Sequence, residues 1–242
     1  MSDRARPARQ RDVLHAVLRA AAARGPEGVC VFDLDSTLFD NRPRQARILA
    51  DYGASVGEPL LLDARPEHFQ GWDLGAALAR AGLDPDAARA HLAPFRRFWD
   101  EWFFTSAYCR LDEAIPGAPA FVRATAAMGA RIAYVTGRPE GMRNGTLAAF
   151  RRTGFPLPDG ARVVLLMKDV RELGDDAWKR RACDAISSLG PVVAVFDNEP
   201  AHVNAYAERW PEAIAVHLDT DHSGRAVEVL ERIPSIADFT TG

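Results

Sequence analysis

Cysteine is scarce in this sequence. Only Cys30, Cys109 and Cys183 occur, an odd number with no C-x-x-C pair. That argues against a disulfide framework and against a thiolate zinc site, and it fits a reducing compartment. Long apolar runs are missing too. No stretch approaches the ~20 residues that a membrane span needs. The basic start, M-S-D-R-A-R-P-A-R-Q-R-D, is not followed by the apolar segment of a secretory signal. Charge of one sign does not dominate: 30 basic side chains face 33 acidic ones, a net charge of -3. No basic track points to nucleic acid. Internal repeats and low-complexity tracts are also absent. The expectation is a soluble cytoplasmic protein with neither nucleic acid nor membrane as partner.

What the chain does have is apolar material in two kinds of pattern. Its 242 residues are 48% hydrophobic, enough for one large core with a smaller satellite. Helical spacing of Val13, Leu14, Val17, Leu18 and Ala21 predicts a helix from about Pro7 to Arg24, stopped by Gly25-Pro26. Val29–Phe32 then reads as a short buried strand. From Ile115 onward, helices (118–128, 140–153, 176–189, 201–209) alternate with strands (131–136, 162–167, 192–197 and a weaker 213–218). Near-continuous apolar strands between helices imply a parallel sheet covered on both faces. The expected fold class is α/β, a Rossmann-like three-layer sandwich with a parallel central sheet. The last segment, Asp219 to Gly242, reads as loop apart from a short helix near Arg225–Arg232. Residues 41–112 differ in character: helical, without a clear strand, and rich in aromatics that include Phe95, Phe98, Trp99, Trp102 and Phe103.

The stretch V-F-D-L-D-S-T-L-F-D sets two carboxylates, Asp33 and Asp35, one residue apart where an apolar strand ends. Buried like charges cost several kcal/mol unless something positive joins them. Two other strands end in polar clusters, Thr136-Gly137-Arg138 and Asp197-Asn198-Glu199. Each alone reads equally well as a turn or a helix cap. A parallel sheet gathers all three at one edge, where such folds bind ligands. Asp33, Asp35 and Asp197 would there surround a hard divalent cation. His202, His217 and His222 lack ligand spacing and read as structural or surface residues. Arg42, Arg44 and Arg47 read as a solvated helix face, with steering of an anion as the alternative. Asp219 and Asp221 read as a plain turn.

D-L-D-S-T-L resembles motif I of the haloacid dehalogenase-like (HAD) hydrolase superfamily. V-T-G-R, with Thr136, resembles its motif II, and F-D-N-E, with Asp197, its motif IV. The resemblance runs from about residue 29 to 218 and is greatest to the acid-phosphatase-like type. It implies a Rossmannoid core domain of 1–40 and 113–242, and an all-helical (C1) cap of 41–112 inserted after the first strand. The cap's aromatics would mostly form its own core. By resemblance Asp33 is the nucleophile that becomes an aspartyl-phosphate. Asp35 is the general acid and later the base, its backbone carbonyl also meeting the metal. Carbon–halogen hydrolases of the superfamily typically lack this second aspartate, so Asp35 implies phosphoryl transfer. Thr136 and the Gly137 N–H would hold the phosphoryl group, with Arg138 as a further contact. The motif III lysine falls on Lys179, at the start of a helix, with Lys168 as the alternative. Mg²⁺ would be held by Asp33, Asp35 and Asp197. No second acid follows Asp197 at 198 or 201, which leaves supporting roles open for Asn198 and Glu199. The implied function is a Mg²⁺-dependent phosphatase acting on a small phosphorylated metabolite. The alternatives are a phosphomutase on the same scaffold and a non-catalytic protein that binds a phospholigand.

Overall fold

The computed structural model describes residues 5–169 and 173–241. The first four residues of the basic N-terminal stretch lie outside them, as does Gly242. In chain order the main elements are α1 (Ala5–Arg24), β1 (Val29–Phe32), α2 (Arg42–Val56), α3 (Leu74–Arg80), α4 (Pro85–Trp102), α5 (Ser106–Cys109) and α6 (Ala118–Ala127). Then follow β2 (Arg131–Pro139), α7 (Arg143–Thr153), β3 (Val163–Lys168), α8 (Asp175–Leu189), β4 (Val192–Asp197), α9 (Pro200–Arg209), β5 (Ile214–Leu218) and β6 (Ser235–Ile236). The chain divides into two compact units. One takes in the chain up to Phe39, Ala114–Glu140 and the chain from Phe150; the other is Asp40–Glu113 with Gly141–Ala149.

The first unit is built on a six-stranded sheet in the order β3-β2-β1-β4-β5-β6, with every pairing parallel. Every residue of β1 and β4 is buried, which is why those segments read as unbroken apolar runs rather than as alternation. Val29, Val31, Ala133, Val135 and Val195 share one face with Trp178, Ala182 and Ile186 of α8 and with Val203 and Tyr206 of α9. The other face carries aromatics. Phe32 stacks on Phe196 at 4.9 Å, and Phe121 of α6 meets both rings edge-on. Tyr134 packs on Phe150 of α7 at 4.6 Å. Helices therefore cover both faces, giving the expected three layers. From β1 the chain runs outward through β2 to β3, then returns to the other side of β1 as β4. That reversal makes the carboxyl ends of β1 and β4 a topological switch point, the usual place for a ligand.

Two local features depart from the sequence reading. β2 continues to Pro139, three residues beyond the expected end, and its pairing with β3 slips between Thr136 and Pro139. Gly137 and Arg138 are the extra residues of this bulge, a device that re-aims side chains beside active sites. The helix expected near Arg225–Arg232 is not formed; residues 225–232 are irregular. Gly224, at φ +74°, stands just before this stretch and Pro234 just after it. Val229, Leu230 and Ile233 instead pack individually on the core, and the chain closes as β6 on His217 and Leu218 of β5.

The end of the chain is held by close backbone contact. Gly117 sits at φ +77°, and a Cβ there would lie 2.5 Å from the Phe239 carbonyl. Both the left-handed backbone and the clash oppose any side chain. Gly117→Ala is expected to lower stability by about 1–3 kcal/mol, read as a drop in the thermal midpoint; an unchanged midpoint would contradict this packing.

The second unit is helical. Asp84 caps α4 by accepting from the N–H groups of Asp86 and Ala87, with Pro85 at the first helical position, a strong N-terminal signal. Its core gathers Ile48, Leu49, Tyr52, Leu78, Phe95 and Phe103. Trp99 stacks on Phe103 at 4.1 Å. Of the three arginines after motif I, Arg42 and Arg47 keep exposed side chains, as expected of a solvated face, and Arg44 does not. Arg44 is fully buried, paired with Asp112 at 3.0 Å and seated 3.9 Å above the Phe103 ring. Its stem and planar head suit a core that an ammonium would not. Arg42 and Arg47 pair with Asp40 and Asp51.

Candidate active site

β1 delivers Asp33 to the sheet edge. Its N–H donates to the Phe196 carbonyl at 3.0 Å, so the ladder with β4 extends one residue past the strand. The chain then turns tightly. Thr37, Leu38 and Phe39 all donate to the Leu34 carbonyl, and Ser36 takes φ +58°, a left-handed conformation costly for a residue with a Cβ. Thr37 locks this turn to the neighbouring one: its hydroxyl donates to Asn198 Oδ1 at 3.1 Å and accepts the Asn198 N–H at 3.0 Å.

Lys179, from the first turns of α8, enters between the two strand ends. Its Nζ donates to Asp33 Oδ1 at 2.8 Å and to Asp197 Oδ2 at 2.6 Å. All three side chains are buried. Burial would raise the Asp197 carboxyl, but Lys179 and His202 outweigh it and hold the group to about 2. Burial pushes Asp33 up to about 7; Lys179 pulls it back, while Asp197 and Asp35 push the same way as burial. Burial would lower Lys179, but the two carboxylates carry it well above its ordinary value. One ammonium thus serves two carboxylates and satisfies one more fully.

Lys168 is engaged elsewhere. Its Nζ donates to Asp175 Oδ1 at 2.7 Å, and a Cβ on Gly137 would lie 2.7 Å from the same Asp175 carboxylate. Gly137 therefore makes room for Lys168's partner. Thr136 is buried, and its carbonyl accepts from Trp178 Nε1 at 2.8 Å. That bond ties β2 to the residue preceding Lys179. Arg138, read from sequence as a further phosphate contact or a surface residue, is 1% exposed. Its Nε and Nη2 grip the two oxygens of Asp35, each at 2.8 Å, a bidentate fork.

Asn198 and Glu199 have structural partners. Asn198 Nδ2 donates to the Asp221 carbonyl at 2.6 Å. Glu199 accepts from the Ser223 N–H and hydroxyl and pairs with Arg225 at 3.1 Å. Residues 219–225 are thus fastened to the end of β4 rather than forming a free turn. His202 is buried, and its Nδ1 lies 3.7 Å from Asp197 Oδ1. Sequence spacing did not reveal this contact, because it arises one helical turn into α9 and involves no second histidine or cysteine.

Among the described residues, no group of three or more His, Cys, Asp or Glu side chains is arranged to hold a metal ion. Arg138 occupies both side-chain oxygens of Asp35, which leaves its backbone carbonyl as the atom it could offer a metal. The remaining donors still fit Mg²⁺, which needs only one or two carboxylates besides waters and substrate oxygens. With Asp33 ionised, two carboxylates face one lysine, and a phosphate would add further negative charge. That balance calls for a hard cation.

Among the described residues, no helix is long and apolar enough to cross a membrane. No protein-family model and no curated protein matches the sequence. Solved structures do. A haloacid dehalogenase-like hydrolase from Burkholderia xenovorans matches with TM-score 0.51 and 16% identity, over 88% of this chain and 93% of that one. CbbY from Rhodobacter sphaeroides, solved with phosphate, matches with TM-score 0.50 and 18% identity over 88% and 94%; it was also solved with xylulose-1,5-bisphosphate. The class C acid phosphatase from Bacillus anthracis, solved with tungstate, is 22% identical over 79% of this chain, with TM-score 0.47. The match spans 61% of that phosphatase's length. The six-stranded parallel order and the likenesses to the Burkholderia hydrolase and to CbbY show that the chain has the fold of the haloacid dehalogenase-like hydrolases.

Proposed function

We propose that this protein is a Mg²⁺-dependent phosphatase that hydrolyses a phosphate monoester of a small metabolite through an aspartyl-phosphate. The observation that carries this reading is Lys179 bridging Asp33 and Asp197 at the switch point, with Thr136 on the adjacent strand. A lysine so placed neutralises both the attacking carboxylate and the group it attacks. The CbbY complexes with phosphate and a sugar bisphosphate support the substrate class.

In this mechanism an Asp33 oxygen attacks phosphorus and the ester P–O bond breaks. The leaving oxygen takes a proton from Asp35. Water then attacks the phosphorus of the aspartyl-phosphate, giving a proton back to Asp35 and returning Asp33 as carboxylate. Asp35 does this only when its oxygens leave the Arg138 fork. Thr136 Oγ1 and the Gly137 N–H hold the transferring oxygens. Asp33, Asp197 and the backbone carbonyl of Asp35 would hold Mg²⁺, which supplies positive charge to the transferring group.

The test is release of p-nitrophenol from p-nitrophenyl phosphate, with Mg²⁺ and with EDTA, followed by a panel of phosphorylated sugars. Turnover with Mg²⁺ that EDTA abolishes is expected. Absence of Mg²⁺-dependent phosphate release from every compound would overturn the reading.

A further inference from the structure

α8 and α9 both cover one face of the sheet, and a cavity of about 580 Å³ lies between them, lined in part by Asp176, Lys179, His202 and Tyr206. The helices carry the two halves of the site: α8 bears Lys179, and α9 follows directly from the Asp197 loop. One polar tie crosses at their N-terminal ends. His202 Nε2 and Asp176 Oδ1 lie 2.7 Å apart. Asp176 stands one turn before Lys179 on α8, and its second oxygen accepts from Arg225 at 2.8 Å. Arg225 also grips Glu199 at 3.1 Å. The Glu199 N–H donates to Asp197 Oδ1 at 2.9 Å, the oxygen that His202 Nδ1 faces at 3.7 Å. The chain of contacts Asp197–Glu199–Arg225–Asp176–His202 thus returns to within 3.7 Å of the carboxylate, His202 Nδ1 facing it without a hydrogen bond.

We propose that His202, anchored by Asp176, is a positioning residue that fixes the Asp197 carboxylate for metal binding. The assignment rests on the Mg²⁺ reading above. Asp197 Oδ2 is held by Lys179, so the direction of Oδ1 is set by the Glu199 N–H and the imidazole edge. His202 Nδ1 is buried and has no hydrogen-bond partner among the described residues, so no competing bond turns the ring from Asp197. The cavity beside it gives the His202 ring room to move once the tie to Asp176 is cut. Groups that orient a ligand carboxylate act chiefly on metal affinity.

The experiment is calorimetric titration of Mg²⁺ into metal-free protein for wild type, His202→Ala and Asp176→Asn, with thermal midpoints and with kcat at saturating Mg²⁺. Each substitution is expected to weaken Mg²⁺ binding by about 10- to 100-fold. Saturating Mg²⁺ should restore most of kcat. The double variant should be little worse than either single one, since both cut the same tie. Lower midpoints with unchanged Mg²⁺ affinity would show a merely structural role and overturn the assignment. Wild-type protein that binds no Mg²⁺ would overturn the functional reading itself.

Discussion

Asp33→Asn should abolish turnover and yet raise stability above neutral pH. An amide cannot attack phosphorus, so Mg²⁺-dependent release of p-nitrophenol should fall by at least ~10³-fold, as when other covalent nucleophiles are removed. Stability moves the other way because the wild-type carboxylate is held against its preference. Its pKa rises from 3.8 to about 7 on folding, through burial and the nearby Asp197. The folded state therefore binds this proton more tightly than the unfolded state. The contribution is fully present below about pH 4 and is lost as pH rises through 7. A rise of that size corresponds to about 4 kcal/mol at the outside. At pH 5 the native group is a neutral acid, close in shape to asparagine, and the variant should match wild type. At pH 8 the variant should be more stable, by on the order of 2 kcal/mol in metal-free buffer. Thermal unfolding at the two pH values decides the matter; a variant less stable than wild type at pH 8 would contradict the charge balance described.

Lys179→Met should be the most damaging substitution in the first unit. It leaves two buried carboxylates with no ammonium between them, a loss of about 3–5 kcal/mol. Lys179 itself is raised well above its ordinary value, so its contribution is full through pH 9 and would be lost only above that. Any pH dependence between 5 and 8 then comes from Asp33. The penalty should be smaller at pH 5, where Asp33 carries a proton, and larger at pH 8. Activity should fall by about 10²–10³-fold, the scale for removing one stabiliser of transferring charge. Lys168→Met provides the contrast. Its partner Asp175 is half-exposed, and the loss should stay under about 1 kcal/mol. Urea titration of both variants tests which lysine serves the nucleophile. Equal losses, or a larger one at Lys168, would reverse the choice made on helix position.

Much of this was legible before any coordinates. β1 and β4 were placed to the residue because strands buried on both faces leave no polar interruption to blur their ends. The convergence of Asp33, Thr136 and Asp197 follows from parallel topology alone. Lys179 was legible from its place at the head of a helix. What stayed hidden was pairing at a distance. Nothing near Arg138 in sequence shows that a bulge in β2 turns it onto Asp35, more than a hundred residues earlier. Nothing near Arg44 announces Asp112. The His202–Asp176 tie joins two helices whose packing the sequence does not state. The helix expected at 225–232 gives way to Val229, Leu230 and Ile233 packing individually on the core, contacts at a distance that the local pattern does not show.

The Arg138 fork has a consequence for selectivity. The cations named at these strand ends are already engaged: Lys179 with Asp33 and Asp197, Lys168 with Asp175, Arg138 with Asp35. An anion arriving here does not fill a vacancy. It trades places with a resident carboxylate, and only the difference between the two pairings contributes to its hold. On the proposed function, a phosphate dianion would compete for the fork better than a singly charged anion, and would leave Asp35 free for the leaving group. Cleaved inorganic phosphate would face the same trade in reverse, with Asp35 in place to reclaim Arg138. On the proposed function, Asp35 would then act as a displacing ion at product exit as well as at substrate entry.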